Sequence, residues 1–243
     1  MKTVEVISLI YRSTKYFDFI MDQYVRHCPS TSKYQTSFRF VANNPTQRLI
    51  DYAKLQTNVR TDIFLSDPAA HYINRVYMAY NFAVMTSQAD YVCLVNSDEG
   101  FSPGWLDNLF KWVASHRVIA ASRLVESGKL KSGEHGIERY FGNSPENYQE
   151  LDFINYVGQI SRPNVAAKRG LYMPLLVQRE LFLKAGGFPP GNICSDGVGG
   201  NGKVLMAGDD YFFHEVLEKK YGVAHITPLD SIVYHFQEGE KDE

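Results

Sequence analysis

Short apolar runs alternate with longer segments in which apolar residues recur every three or four positions through the first half of the chain. The apolar runs predict strands over residues 4–11, 38–42, 62–65, 91–95 and 118–125. The helical spacing predicts helices over residues 16–27, 71–86 and 102–112, the last with Ser102 as its N-cap. This alternation is typical of an α/β protein with a doubly wound, mostly parallel sheet and helices on both faces.

The second half of the chain has a less regular pattern, and we see no linker that would divide it from the first. The pattern predicts strands over residues 172–177 and 232–236, and helices over residues 146–157, 179–185 and 209–221. Between these elements lies a glycine-rich loop over residues 191–202. The highly charged tail 238–243 is expected to be frayed. We therefore expect a single domain over residues 1–243.

The glycine-rich loop contains two patterns known from phosphate-binding loops. Gly197, Gly199 and Gly202 fit the spacing GxGxxG, and Lys203 completes the spacing GxxxxGK. Val204 stands where the second pattern requires a Ser or Thr for magnesium, and neither pattern follows a buried strand. We therefore interpret the segment as a flexible loop, which could act as a lid beside a functional site.

Composition and charge exclude several classes of protein. Of the 243 residues, 44% are hydrophobic, which is enough for a sizeable core, and the formal net charge of −2 does not indicate binding to nucleic acid. The three cysteines form no CxxC pair, so a disulfide scaffold and a structural zinc site are not expected. The most apolar stretch, 171–177, is too short to span a membrane, and Glu5 interrupts the apolar N-terminal run. We expect a cytoplasmic protein without a transmembrane segment.

A polar cluster follows the apolar strand 91–95. Asn96 and Asp98 are two positions apart in an extended chain, so their side chains are expected to face the same ligand, with Glu99 next to them. Oxygen ligands at the carboxyl edge of a sheet suit a hard divalent cation such as Mg²⁺ or Mn²⁺. The alternative is an Asx turn that leads into the helix at Ser102.

Several motifs follow one another along the chain. The Asn-Ser-Asp cluster is followed by Ser-Pro-Gly-Trp-Leu, and Arg75 and Asn81 lie six positions apart in the helix before it. An Arg-Glu helix, a Gly-Gly-Phe turn ending at Phe188 and a Gly-Asp-Asp segment come later. In this order and spacing the chain from residue 4 to residue 235 resembles glycosyltransferases of the GT-A fold, in particular the inverting family 2, whose Asp-x-Asp and Gly-Glu-Asp motifs the Asn-Ser-Asp and Gly-Asp-Asp segments match.

The resemblance implies a metal site and a catalytic base. It implies that Asp98 holds a divalent metal ion, Mn²⁺ or Mg²⁺, which bridges the donor diphosphate, and that His235 completes this metal site. It implies that Asp210 is the general base. Asp209 replaces the usual Glu before the base, so the sequence leaves open which of the two neighbouring carboxylates takes the proton.

The resemblance also implies a nucleotide site. Tyr11 is expected to lie against the base and Arg75 near it. Asn43 stands where the family usually has an Asp that reads the base, and Asn96 replaces the first Asp of the Asp-x-Asp motif. Both departures remove a negative charge. The choice of nucleotide therefore stays open, although the resemblance favours UDP, the donor nucleotide that is common in this family.

Taken together, the sequence predicts a metal-dependent inverting glycosyltransferase that moves a sugar from a nucleotide-diphosphate sugar to a hydroxyl group of a glycan or another acceptor. Residues 1–125 would bind the nucleotide sugar, and residues 126–236 would bind the acceptor and carry the catalytic base.

Two alternatives remain. A nucleotidyltransferase acting on sugar phosphates has a similar fold, but its loop after the first strand is rich in glycine, whereas residues 11–15 contain none. A non-catalytic glycan-binding or interaction domain of the same fold is the second alternative. Asn43 and Asn96 favour such a domain, whereas Asp98 and Asp210 argue against it.

Overall fold

The structure, a computed structural model, describes residues 1–70, 72–189, 193–194, 197–198, 204–206 and 208–240. In the first half, strands and helices alternate in the order β1 (Lys2–Ile10), α1 (Thr14–His27), β2 (Tyr34–Asn43), α2 (Gln47–Leu55), β3 (Arg60–Phe64), α3 (Tyr72–Thr86) and β4 (Tyr91–Val95). The middle of the chain forms β5 (Glu99–Phe101), α4 (Trp105–Ser115), β6 (Val118–Ala121), β7 (Arg123–Glu126), β8 (Ile137–Glu138), α5 (Glu150–Ile160), β9 (Ala166–Lys168), β10 (Leu175–Gln178) and α6 (Arg179–Lys184). The last part forms β11 (Ile193–Cys194), β12 (Gly197–Val198), β13 (Val204–Met206), α7 (Gly208–Asp210), β14 (Ala224–Pro228) and β15 (Ile232–His235).

An eight-stranded sheet with the order β3-β2-β1-β4-β10-β6-β14-β9 forms the centre of the fold. The strands β3, β2, β1 and β4 are all parallel, as the alternation in the first half predicts. The strand β10 is antiparallel to both of its neighbours, and β9 is antiparallel to β14. A second sheet has the order β5-β15-β7-β8, and a third has the order β12-β11-β13. The predicted α/β class with a mostly parallel sheet is confirmed.

Both faces of the main sheet are buried under helices. Along β1, Val6 joins the core that contains Phe17 of α1, and the next residue, Ile7, joins the core that contains Tyr80 of α3. This division follows from the two-residue period of a strand. It also explains why β4 is apolar throughout, since all five of its residues are buried. No helix in the described part of the chain is long and apolar enough to cross a membrane.

The predicted strand over residues 118–125 is two strands in different sheets. The chain passes from β6 to β7 at Ser122, a buried residue whose amide donates to the carbonyl of Pro174 over 3.0 Å. The hydroxyl of Ser122 lies 2.8 Å from that of Ser231. These partners come from distant parts of the chain, so the apolar run alone does not reveal the break.

The predicted start of the next helix at Ser102 is also wrong. Helix α4 begins at Trp105, and its N-cap is Gly104, whose φ of 76° favours glycine. The hydroxyl of Ser102 instead donates to the carbonyl of Ile232 over 2.7 Å. Ser102 therefore holds this loop against β15.

Other differences are smaller. The predicted helix over 146–157 is a 3₁₀ turn, Pro145–Asn147, followed by α5, and the strand predicted over 172–177 begins only at Leu175. The helix predicted over 209–221 is α7 followed by a π-helix, Tyr211–Lys220. The sequence analysis missed helix α2, whose N-cap Thr46 accepts a hydrogen bond from the amide of Leu49. Most of the glycine-rich loop over 191–202 lies outside the described residues, although the short strands β11 and β12 belong to it.

A buried arginine joins the parallel strands to helix α3. The guanidinium of Arg39 on β2 contacts Glu5 on β1 and Asp62 on β3 at 3.1 and 2.8 Å. It also donates to the hydroxyl of Thr86 and to the carbonyl of Ala83, both on α3. Because Arg39 is fully buried, its removal would break both ion pairs inside the protein and would leave Asp62 only its contact with Arg60.

We expect the substitution Arg39→Ala to lower the free energy of unfolding by about 3–5 kcal/mol, as is usual when one partner of a buried ion pair is removed. The matched control is Arg60→Ala, because Arg60 pairs with the same Asp62 but is largely exposed. This control should cost less than about 1 kcal/mol. Urea titrations monitored by circular dichroism measure both changes, and equal costs would contradict the role of Arg39.

A buried histidine on β14 gives the fold a sensitivity to acid. Burial lowers the pKa of His225 to about 4, and its ring packs against those of Tyr172 and Phe213, which also stack on each other. An unfolded histidine has a pKa of about 6.5. As the pH falls below about 6.5, the unfolded chain takes up a proton that the folded chain accepts only near pH 4, so stability decreases across this interval.

The substitution His225→Phe keeps an aromatic ring in the stack and removes the titration. Between pH 7 and pH 5 the parent protein should therefore lose about 2 kcal/mol more of its free energy of unfolding than the variant does. Urea titrations of both proteins at the two pH values test this difference. The same pH dependence in both proteins would show that His225 is not responsible.

Candidate functional site

A cavity of about 560 Å³ opens at the carboxyl ends of β1, β2 and β4. In the strand order β3-β2-β1-β4, the chain passes from β1 to β2 and β3 on one side and then returns to β4 on the other side of β1. The point between β1 and β4, where the strand order reverses, is where α/β sheets bind ligands. Six residues that the sequence analysis singled out line this cavity: Tyr11, Asn43, Arg75, Asn96, Asp98 and His235. Asp210 is not among the described residues that line it.

One corner of the cavity contains buried polar atoms without partners. The side-chain amide of Asn43, at the end of β2, donates to the carbonyl of Arg75 over 3.2 Å. Within the described part of the chain, Oδ1 of Asn43 and Nε of Arg75 are buried and make no hydrogen bond. An unsatisfied buried polar atom costs about 1–3 kcal/mol, so this corner is suited to a ligand that supplies both a donor and an acceptor.

Hydrogen bonds from Tyr80 and to Glu99 fix the loop after β4. The hydroxyl of Tyr80 donates to the carbonyl of Val95 and to Oδ1 of Asn96, over 2.9 and 3.1 Å. The carboxylate of Glu99 accepts from the backbone amide of Asn96 over 3.0 Å and from its side-chain amide over 3.3 Å. Burial raises the pKa of Glu99 to about 8. Asn96 is therefore tied to its own loop, and Asp98 is the carboxylate of this loop that lines the cavity.

Asp98, His235 and Glu126 form a chain of contacts beside the cavity. Nε2 of His235 lies 3.3 Å from Oδ2 of Asp98, and Nδ1 of His235 lies 3.2 Å from Oε1 of Glu126. Burial alone would lower the pKa of His235, but the two carboxylates raise it well above its usual value. Burial likewise opposes ionisation of Asp98, but the positive charge and the hydrogen bond of His235 keep its pKa low.

The sequence analysis did not identify Glu126. It also accepts hydrogen bonds from the hydroxyl of Ser132 and from the side-chain amide of Gln237. The one signal in the sequence is that a carboxylate directly follows the apolar run 118–125. Because Glu126 contacts Nδ1, it orients the imidazole so that Nε2 faces Asp98.

The donor set at this point fits a divalent cation. A carboxylate oxygen from Asp98 and an imidazole nitrogen from His235 are suitable ligands for Mn²⁺. The described residues contain no group of three or more His, Cys, Asp or Glu side chains arranged as a complete metal site. A cation here would therefore need oxygen ligands from a bound phosphate or from water, as Mg²⁺ sites in phosphate-binding enzymes usually do.

Residues 237–240, which we call the strap, lie in the cavity rather than in solvent. The carboxylate of Glu240 accepts hydrogen bonds from the backbone amides of Tyr11, Arg12 and Ser13 and from the hydroxyl of Ser97. The prediction of a frayed tail is therefore wrong for residues 238–240, because these backbone amides and the hydroxyl of Ser97 hold Glu240. Residues 241–243 lie outside the described residues.

The two neighbouring aspartates of α7 differ in their contacts. Oδ1 of Asp209 accepts from the amide of Asp210 over 2.9 Å, and the Asp209 side chain is also hydrogen-bonded to Tyr77. Burial raises the pKa of Asp209. Asp209 is thus engaged in structural contacts, whereas no hydrogen bond joins the carboxylate of Asp210 to another described residue.

The amino-acid sequence matches no family model and no curated protein sequence. Among solved structures, GalNAc-T7 in complex with UDP, GalNAc and Mn²⁺ is similar, with a TM-score of 0.59 and 11% identity over 97% of this chain and 44% of that one. The mannosyltransferase PcManGT from Pyrobaculum calidifontis, in complex with GDP-Man and Mn²⁺, has a TM-score of 0.56 and 16% identity over 96% of this chain and 56% of that one.

This chain therefore spans about half the length of each of these two structures. At these identities the similarity concerns the arrangement of strands and helices. The chain has the GT-A fold of glycosyltransferases.

Proposed function

We propose that this protein is a divalent-cation-dependent, inverting glycosyltransferase that uses a nucleotide-diphosphate sugar as its donor. The observation that carries the proposal is the meeting of Tyr11, Asn43, Arg75, Asp98 and His235 around one cavity of a GT-A fold. The two similar structures are complexes with UDP or GDP-Man and with Mn²⁺, which supports a ligand of this class.

The nucleotide base would lie between Tyr11 and the corner formed by Asn43 and Arg75. The free Oδ1 of Asn43 can accept a hydrogen bond from a ring N–H of the base. Nε of Arg75 can donate to a carbonyl oxygen of the same ring. Uracil and guanine both carry such a donor and acceptor, and UDP is the first candidate because of the family resemblance.

Asp98 and His235 would hold the cation at the diphosphate. A divalent cation at this position stabilises the negative charge that the diphosphate gains as it leaves. Glu126 would hold the imidazole through Nδ1, so that Nε2 can bind the cation.

Asp210 would act as the general base. In this reaction the acceptor oxygen attacks the anomeric carbon, its proton passes to the carboxylate, and the bond between that carbon and the diphosphate oxygen breaks. Because the attack comes from the side opposite the leaving group, the configuration at the anomeric carbon is inverted. The assignment is supported by a contrast between the two side chains: Asp209 is engaged in hydrogen bonds, whereas no hydrogen bond joins the carboxylate of Asp210 to another described residue.

We expect the parent protein to bind UDP more tightly in the presence of Mn²⁺, and Asp98→Ala to abolish this gain. Isothermal titration calorimetry with and without Mn²⁺ measures the difference. Asp51→Ala is the control, because Asp51 is an exposed carboxylate on α2 that pairs with Lys54. If the parent protein binds UDP equally well with and without Mn²⁺, the proposed metal site is wrong.

The base is tested by comparing two conservative substitutions. Asp210→Asn keeps the shape of the side chain but cannot take up a proton, so transfer should fall by about 10²–10⁴-fold while the KM for the donor changes little. Asp209→Asn should have a much smaller effect on transfer. Steady-state assays with the donor and acceptor identified by screening give both values. If only Asp209→Asn abolishes transfer, then Asp209 is the base.

A further inference from the structure

The strap, residues 237–240, forms part of the wall of the cavity that the proposed function assigns to the donor. Its carboxylate at Glu240 is held by four donors. Oε2 accepts from the amides of Arg12 and Ser13 over 2.7 and 2.9 Å, and Oε1 accepts from the hydroxyl of Ser97 over 2.8 Å. The amide of Tyr11 lies 3.1 Å from both oxygens. A contact of this kind, with a carboxylate against three consecutive amides, is specific to an anion.

A second contact places the strap over the proposed metal ligand. The backbone amide of Gly239 donates to the carboxylate of Asp98. Since His235 contacts Oδ2 of the same carboxylate, Asp98 has partners on the protein itself in this state. A cation that binds Asp98 would compete with Gly239 and His235 for the oxygens of this carboxylate.

The beginning of the strap is attached to the opposite wall of the cavity. The side chain of Gln237 accepts from the amides of Gly128 and Leu130, and Glu238 forms an ion pair with Lys129 at 2.8 Å. The strap therefore spans from the 128–130 loop to the start of α1. Gln237 and Glu238 are attached to the 128–130 loop, and Glu240 is attached to the start of α1. Release of Glu240 alone would therefore expose the amides at the start of α1 and the side of Asp98 that faces Gly239.

We propose that Glu240 is an internal competitor of the donor: in the free protein it closes the strap over Asp98, and it must leave its amide partners before a nucleoside diphosphate and a divalent cation can bind. The inference rests on the proposed function for the identity of the ligand. Its physical basis is that one cavity holds a carboxylate of the protein where an anionic ligand and its cation would enter. Two anions in this cavity would repel each other strongly.

The expected size of the effect follows from the fraction of molecules with an open strap. When a binding-competent state is only fractionally populated, the apparent dissociation constant rises by the reciprocal of that fraction. If the strap is closed in about nine of ten molecules, its release strengthens donor binding by about tenfold.

The substitution Glu240→Gln tests the proposal, because glutamine has the size of glutamate but cannot accept from all of the surrounding donors with both of its terminal atoms. We expect Glu240→Gln to bind UDP about tenfold more tightly than the parent protein in the presence of Mn²⁺, as measured by calorimetry. Glu215→Gln removes the same charge from an exposed site paired with Lys219 and should leave the affinity unchanged. Unchanged or weaker binding to Glu240→Gln would overturn the proposal.

Hydrogen exchange followed by NMR gives a readout that does not depend on nucleotide binding. The amides of Arg12 and Ser13 should exchange slowly in the parent protein and at least tenfold faster in Glu240→Gln. A chain that ends at Glu238 is a second variant, which keeps Gln237 and Glu238 and should give the same result. Equal exchange rates of these amides in all three proteins would overturn the proposal that the strap is closed in the free protein.

The two measurements also separate this inference from the proposed function. If neither the parent protein nor Glu240→Gln binds UDP or GDP, while the difference in exchange is present, then the proposed function is wrong and the closed strap is supported. If the parent protein binds UDP with Mn²⁺ and Glu240→Gln shows no gain, then the strap proposal fails and the proposed function stands.

Discussion

Strand β15 lies between β5 and β7, and its hydrogen bonds to both determine the position of His235. In the antiparallel pairing with β5, His235 is opposite Glu99, and the amide of Phe236 donates to the carbonyl of Asp98 over 3.1 Å. In the parallel pairing with β7, His235 is opposite Glu126. One strand register therefore brings an imidazole between two carboxylates from distant parts of the chain. The cavity, the proposed cation site and the strap that follows β15 all depend on this register.

Negative charge is concentrated around this imidazole. Asp98, Glu99, Glu126 and Glu240 lie close together, and burial raises the pKa of Glu99 to about 8. Burial raises the pKa of Glu240 as well, despite its hydrogen bonds. Such a cluster is costly to hold without cations, because like charges in a region of low polarity repel each other. A divalent cation would relieve this repulsion at Asp98, and removal of Glu240 would relieve it further. The strap thus adds to the negative charge that the proposed cation would neutralise.

The two halves of the proposed site are built differently. The nucleotide corner is formed by the ends of parallel strands and by α3, which are packed on both faces and joined by Arg39. Asp210 belongs to the short helix α7, which contacts α3 through the hydrogen bond between Asp209 and Tyr77. Rigid strand ends suit the recognition of a constant nucleotide, whereas loops that vary in sequence suit the recognition of an acceptor. The proposed donor site would therefore be formed by the ends of the parallel strands, and the proposed acceptor site by segments outside them.

The sequence by itself determined the alternation of strands and helices, the parallel arrangement of the first half and the polar residues at the ends of β1, β2 and β4. These features depend on local hydrophobic period and on the rule that parallel strands end at one edge of the sheet. Only the tertiary structure decided the break at Ser122, the pairing of Glu126 with His235 and the entry of Glu240 into the cavity. Each of these involves partners about 100 residues or more apart, and hydrophobic period carries no information about such partners. The tail 238–243 is predicted to fray because its composition is polar, whereas Glu240 within it is held because the amides of Arg12 and Ser13 donate to its carboxylate.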